Sequence, residues 1–326
     1  MDLLQLESLT SAHLAERAAE LGLDAGRLQV RYVLNWGGFV NRSFRVTDGR
    51  AVLHLKLAAE PENRGGLRRF WELRPLMAPY HAPVSVAWIE VPGTEYAGVL
   101  SPWIDGAPPP SIEGRLAEEV VRTVARLHGD RELAARLQPS GVSATCADAF
   151  RRTYAERFFA DLDMVESERP PFVSPSTLAW MRGEAEAVEA AVMAAAAFHE
   201  PADAPTHGDL WVNNLLVTPC GEWFLLDWDD LAPGDPALDW GMLFGPTRAD
   251  LRTAADRALP SRLTSDPAVR ERLPLYARAS LLDWVIDPLA DWIDAGEAPE
   301  HIDEVRPEKE RIHRAALEAY RRRYGA

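Results

Sequence analysis

Between Thr206 and Asp227 the chain reads THGDLWVNNLLVTPCGEWFLLD, and no other stretch limits the possible folds as tightly. The apolar run Trp223-Phe224-Leu225-Leu226 reads as a strand, and Asp227 ends it. Asp209 follows His207-Gly208, Asn214 comes five residues later, and Asp227 comes eighteen residues after Asp209. A loop, a strand and a turn in that order bring the three polar side chains to one spot.

Two carboxylates and an amide oxygen at one spot suit phosphoryl transfer. One carboxylate orients and deprotonates an attacking hydroxyl. The amide oxygen and the second carboxylate hold Mg²⁺ on nucleotide phosphates. The pattern His-Gly-Asp-Leu-x-x-x-Asn, followed by an apolar strand ending in Asp, resembles that of the aminoglycoside phosphotransferase and choline kinase-like (APH) family of small-molecule kinases. Its relatives include homoserine, methylthioribose and fructosamine kinases. Protein kinases, similar in fold, carry His-Arg-Asp and Asp-Phe-Gly; this chain has His207-Gly208-Asp209 and Leu226-Asp227-Trp228. The resemblance implies an α+β, protein-kinase-like two-lobe fold, with a small β-rich lobe over 1–104 and a larger, mainly helical lobe over 105–326. It implies that Asp209 is the catalytic base, that Asn214 and Asp227 are Mg²⁺ ligands, and that ATP or GTP is the donor, bound in the cleft between the lobes. The acceptor it implies is a hydroxyl of a small molecule, an aminoglycoside or another amine or sugar. Fructosamine kinases carry Phe-Asp-Pro where this chain has Leu-Asp-Trp, a departure from sugar-amine repair.

Basic residues are nearly all arginine; the only lysines are Lys56 and Lys309. Lys56 lies in an alternating run, with Leu53, Leu55 and Leu57 on one face and Val52, His54 and Lys56 on the other. Leu28–Leu34 and Ser43–Val46 read as two further strands, with a hairpin turn at Asp48-Gly49. Between the first two strands stands Gly37-Gly38, a pair that lets backbone N–H groups approach phosphates. By resemblance this is the nucleotide-covering loop, and Lys56 is the phosphate-binding lysine. Such a lysine needs a carboxylate partner. Glu72, in the helical stretch 66–78, is expected to be that partner; the alternative is that it faces solvent beside Arg68 or Arg69. Pro75 is expected to end or kink this helix. Val84–Val91 and Ala97–Pro102 read as strands, and the Pro/Gly-rich segment after them marks the lobe boundary. There, by resemblance, backbone groups of Trp103 or Ile104 bind the purine edge.

Residues 10–22 read as an amphipathic helix capped by Thr10 or Ser11. Residues 113–136, 147–165 and 175–198 read as three more helices, with His128 a structural residue and Asp161, Asp163, Glu166 and Glu168 a solvated patch. In Asp235-Pro236-x-x-Asp239 the resemblance makes Asp239 a buried partner of the catalytic loop, which His207 braces. Asp229 and Asp230 are open to metal or substrate contact. A helix over 273–295 carries the stripe Asp283, Asp287, Asp291 and Asp294. The stripe reads as a solvent face or, as in aminoglycoside-modifying relatives, as a holder of a cationic substrate. Trp284 and Trp292 read as core or as ligand-stacking residues. The charged segment 307–324 reads as a surface helix.

At 326 residues, 47% of them hydrophobic, the chain is long enough for two cored lobes. A net charge of −15 argues against nonspecific nucleic-acid binding and suits cationic or neutral ligands. The two cysteines, Cys146 and Cys220, have no metal-ligand or disulfide spacing. With no signal-peptide pattern and no apolar run of membrane length, a cytoplasmic location is expected, with nucleotide and acceptor as partners and neither nucleic acid nor membrane. Two rival readings are a catalytically inert nucleotide-binding module and a protein Ser/Thr kinase. The short span from Asp227 to Asp239 leaves little room for a peptide platform.

Overall fold

The computed structural model describes residues 2–34, 41–138, 144–245, 264, 266–297 and 302–325. The chain divides into two compact units, Met1–Ser111 with Asn213–Leu231, and Ile112–Val212 with Ala232–Ala326.

The first unit begins with helix α1 (Leu3–Glu16), strands β1 (Gln29–Val33), β2 (Arg42–Thr47) and β3 (Val52–Ala58), helix α2 (Pro61–Met77), and strands β4 (Ala87–Glu90) and β5 (Ala97–Pro102). The strands form one antiparallel sheet in the order β1-β2-β3-β5-β4. Strand β3 follows its sequence alternation. Leu53, Leu55 and Leu57 enter a core shared with Leu6 and Leu14 of α1 and with Phe44, Ile89 and Leu100 of the sheet. Each fully buried leucine contributes about 1.5–3 kcal/mol of transfer free energy. The opposite face carries Lys56, which the register sets between Ser43 of β2 and Val99 of β5.

Two helices here differ from expectation. Helix α1 starts at Leu3 because the Asp2 carboxylate caps it, accepting the Gln5 N–H at 2.7 Å. Thr10, expected as the cap, is buried inside the helix. Helix α2 starts with Pro61 at its first position, where a missing N–H costs nothing. It runs past Pro75 to Met77. The Trp71 carbonyl, which Pro75 cannot serve, accepts instead from Arg74 Nη1 at 2.7 Å.

The second unit opens with helices α3 (Gly114–His128), α4 (Arg131–Leu137), α5 (Cys146–Phe150), α6 (Glu156–Ser167) and α7 (Pro175–Ala194), then strand β6 (Ala204–Thr206). The first unit resumes with the hairpin of β7 (Leu215–Val217) and β8 (Trp223–Leu225). Strand β9 (Ala232–Gly234), which pairs with β6, and helices α8 (Pro236–Leu243), α9 (Pro267–Asp294) and α10 (Ile302–Tyr324) complete the second unit. The single helix expected over 113–136 breaks at Gly129-Asp130. The Asp130 carboxylate caps α4 by accepting the N–H groups of Glu132 and Leu133, at 2.9 and 3.0 Å. Helix α9 is the hub, packed against α6, α7, α8 and α10. The charged tail helix α10 buries one face, including Lys309, Ile312, His313 and Tyr320, and is no free surface helix. No described helix is long and apolar enough to cross a membrane.

Candidate functional site

The first unit contains a cavity of about 300 Å³ whose wall includes His54, Lys56, Trp103, Ile104, Asn214 and Asp227. That volume is at the small end of ordinary ligand sites. The β3 alternation delivers Lys56 and His54, the end of β5 delivers Trp103 and Ile104, and the β7–β8 hairpin delivers Asn214 and Asp227 from its two flanks. The Leu226 N–H bonds to the Asn214 carbonyl at 2.8 Å, which ties those flanks together.

Lys56 is paired with two carboxylates, Asp227 Oδ1 and, at 2.6 Å, Asp229 Oδ2. Burial alone would lower the Lys56 pKa, but Asp227 and Asp229 outweigh it and hold the ammonium charged. Burial raises the Asp229 carboxyl while Lys56 pulls against that rise. His54, on the same face of β3, is lowered to about 4 by burial and by the Lys56 charge, so it is neutral near pH 7. Glu72 is not the lysine's partner. Its side chain is 61% exposed and receives Arg68 Nε at 2.9 Å, an exposed i,i+4 pair on α2. The pairing expected between Lys56 and Glu72 is therefore corrected to Asp227 and Asp229. The reason is geometric: Glu72 falls on the solvent side of α2, whereas the segment after β8 returns beneath the lysine.

Asp227 has φ of 63°, a left-handed conformation that Asp tolerates better than most residues. Trp228 next to it is buried, with Nε1 donating to the Leu225 carbonyl at 2.8 Å. With that tryptophan pinned in the core, the carboxylates on either side of it both reach Lys56. Asp229 is the residue that sequence reasoning left unassigned. The available signal was the pair of acids flanking one large apolar residue.

Among the described residues no cluster of three His, Cys, Asp or Glu could hold a metal by itself. The Asn214 amide and the Asp227 carboxylate nevertheless fit Mg²⁺. They are hard oxygen donors on one cavity wall, and Mg²⁺ takes one or two protein ligands and completes its shell with phosphate and water. At the Trp103-Ile104 corner, the Trp103 N–H already donates to the Val52 carbonyl at 3.0 Å, and the Ile104 carbonyl accepts from Gly106 at 3.1 Å. Gly37 and Gly38 lie outside the described residues.

In the second unit, Asp209 sits on a loop held from beneath. Asp239 is fully buried and accepts the N–H groups of His207 and Gly208 at 2.9 and 3.0 Å. It also faces His128 Nε2 at 2.9 Å. His207 in turn accepts the Asp209 N–H on Nδ1 at 3.3 Å. Gly208 has φ of 86°, which a side chain would strain. The loop shape is thus fixed by backbone bonds to one buried carboxylate, with both histidines as braces. Trp211, two residues past Asp209, packs edge-on against Trp284 of α9, with ring centroids 5.5 Å apart.

The carboxylate stripe on α9 is a solvent face only in part, with the Asp287 side chain 41% exposed. Asp283 and Asp291 are buried. Arg157 of α6 pairs with Asp283 and, at 3.4 Å, with Asp287, while Lys309 of α10 pairs with Asp291. Burial raises the Asp283 and Asp291 carboxyls, against the pull of these bases. Asp161, expected in a solvated patch, faces the same cluster. Burial first, then the neighbouring aspartates, push it up to about 7 despite Arg157. Trp292 packs against Phe172 and lies under Arg306, 4.0 Å from its ring centre.

A model of the phosphotransferase enzyme family (APH) matches residues 31–276. No curated protein matches the sequence significantly. Among solved structures, a choline kinase from Cryptosporidium parvum Iowa II is similar with a TM-score of 0.60 at 14% identity, covering 97% of this chain and 95% of that one. APH(2")-IIia in complex with GDP and kanamycin gives 0.59 at 14% identity, covering 93% and 97%. Spectinomycin phosphotransferase APH(9)-Ia, in complex with ADP and spectinomycin, gives 0.60 at 10% identity, covering 98% of each chain. At such identities the likeness is one of fold. The chain has the α+β, protein-kinase-like architecture, with its five-stranded sheet toward the N-terminus and its helices toward the C-terminus.

Proposed function

The chain belongs to the phosphotransferase enzyme family, and we propose that it is a small-molecule kinase moving the γ-phosphoryl group of ATP or GTP to an acceptor hydroxyl. One observation carries the reading: a buried ammonium, Lys56, shares a single cavity with the oxygen donors of Asn214 and Asp227. A positive point charge beside hard oxygen ligands is the chemistry that a nucleotide's phosphates require.

In this reading the first unit binds the donor. The base edge meets the Trp103 carbonyl and the Ile104 N–H, which no described residue engages. Lys56 releases Asp227 and contacts the α- and β-phosphates. Asn214 and Asp227 would hold Mg²⁺, which would neutralise charge on the phosphates. The second unit supplies Asp209, which orients the acceptor hydroxyl and takes its proton. Its loop is prepaid in conformation by Asp239, so little reorganisation remains for the reaction step. The solved neighbours in fold include a choline kinase, a spectinomycin phosphotransferase and a protein in complex with GDP and kanamycin, and choline, spectinomycin and kanamycin are all small hydroxylated molecules.

The test is consumption of ATP and of GTP against aminoglycosides, choline, homoserine, sugars and ketoamines, with Asp209→Asn as control. Transfer to one acceptor class, abolished in the variant, is the expected result. Tight nucleotide binding with no transfer to any acceptor would establish the inert-module reading. Phosphorylation of a protein substrate would establish the protein-kinase reading.

A further inference from the structure

We propose that Asp229 is the positioning residue for Lys56, doing here what a glutamate on α2 was expected to do. The inference rests on the nucleotide reading above and adds to it a residue and a role.

Asp229 is held from several sides of the first unit. Its Oδ2 lies 2.6 Å from Lys56 Nζ on β3 and 2.9 Å from Asn41 Nδ2, at the exit of the β1–β2 loop. Its backbone carbonyl accepts Arg69 Nη2 from α2 at 3.3 Å. The same carbonyl is approached so closely by Gly66 of α2 that a Cβ there would stand 2.4 Å from the oxygen. This one residue therefore joins β3, the residue that leads into β2, and α2.

The two acids on Lys56 are not equivalent. Both line the cavity, but the Asp227 side chain is 32% exposed and that of Asp229 only 14%. A lysine ammonium on four rotatable carbons loses affinity for phosphate through side-chain entropy unless something holds it. Once phosphates draw Lys56 away from Asp227, Asp229 remains as the fixed counter-charge. It touches neither the reacting atoms nor the acceptor, and acts through Lys56.

A double-mutant cycle on nucleotide binding tests this, with ADP titrated calorimetrically into full-length protein in EDTA and again with Mg²⁺. Asp229→Asn is expected to weaken ADP binding in EDTA about tenfold, the scale of one charge-assisted hydrogen bond. Asn41→Ala, which removes a holder of Asp229 without changing charge, is expected to weaken it about threefold. Both losses should vanish in a Lys56→Met background, and Glu72→Gln should bind as wild type. Losses that add to the Lys56→Met loss overturn the proposal, since Asp229 would then act independently. Unchanged ADP binding in EDTA, with loss only when Mg²⁺ is present, also overturns it and makes Asp229 a metal ligand. Asn41→Ala gives a reading even where Asp229→Asn fails to fold. Wild-type protein that binds no nucleotide removes the parent reading as well, an outcome distinct from both.

Discussion

The Asp239 carboxylate and the His128 imidazole face each other at 2.9 Å, both out of solvent, beneath the loop that carries Asp209. The same carboxylate accepts two loop N–H groups. Burial would raise its pKa, yet His128 and His207 outweigh burial and hold it below the ordinary carboxylate range. A depressed carboxyl contributes stability above its unfolded pKa, and that contribution is lost as pH falls through the folded value. Asp239→Ala leaves two N–H groups and a histidine unpaired in the interior, so a loss of about 3 kcal/mol is expected in urea unfolding at pH 7. The wild-type advantage over the variant should shrink in acid. An advantage that persists unchanged at low pH would show that the charge is not what holds the loop.

Adjacent glycines on α2 give opposite expectations. Gly66 faces the Asp229 carbonyl with no room for a methyl group, while Gly65 next to it meets nothing within 4 Å. Gly66→Ala should destabilise by about 1–3 kcal/mol through overpacking. Gly65→Ala should stabilise by about 0.5–1 kcal/mol through helix propensity. Thermal midpoints of the two variants, moving in opposite directions, check this. Equal shifts would mean that α2 does not approach Asp229 as described.

Asp161 gives a stability change with a definite pH signature. Its carboxyl is raised to about 7 by burial and by Asp287, Asp283 and Asp291, against Arg157. The folded protein therefore keeps a proton that the unfolded chain gives up near pH 4, and stability falls as pH rises from about 4 to 7. Asp161→Asn removes the penalty. With allowance for partial exposure, a gain of about 1 kcal/mol is expected at pH 8 and none at pH 4. Urea unfolding at both pH values decides it; a gain equal at the two would assign the effect to packing.

Period-two alternation made β3 readable, because a half-buried strand must put Leu53, Leu55 and Leu57 on one side and Lys56 on the other. In the 206–227 stretch a tight hairpin between Asn214 and Asp227 was readable, and it sets those two on one cavity wall. What failed was partner choice across distance. Glu72 was a reasonable partner by separation, but a helix has several faces, and packing put that residue outside. The α9 acids fit a solvent stripe by period alone. Asp283 and Asp291 are instead buried against Arg157, more than a hundred residues earlier, and Lys309, eighteen residues later. Helix ends were set by single caps, Asp2 and Asp130, that competed with equally plausible neighbours.

Asp209 and Asp227 should separate cleanly in kinetics. Asp209, on its braced loop, is assigned to the acceptor hydroxyl. Asp209→Asn should lower kcat by at least ~10²-fold, the scale of general-base and positioning effects, and leave nucleotide affinity unchanged. Asp227, on the cavity wall beside Lys56, is assigned to the metal. Asparagine tolerates the left-handed backbone at φ of 63°, so Asp227→Asn should keep the fold. It removes the acid that phosphates displace from Lys56, while Asp229 still holds the ammonium. Affinity for ADP in EDTA should therefore stay the same or rise, while the gain on adding Mg²⁺ should be lost. Calorimetric titration with and without Mg²⁺ gives both numbers. If ADP affinity in EDTA fell for Asp227→Asn, the carboxylate would be acting on the nucleotide itself and the division of roles would be wrong.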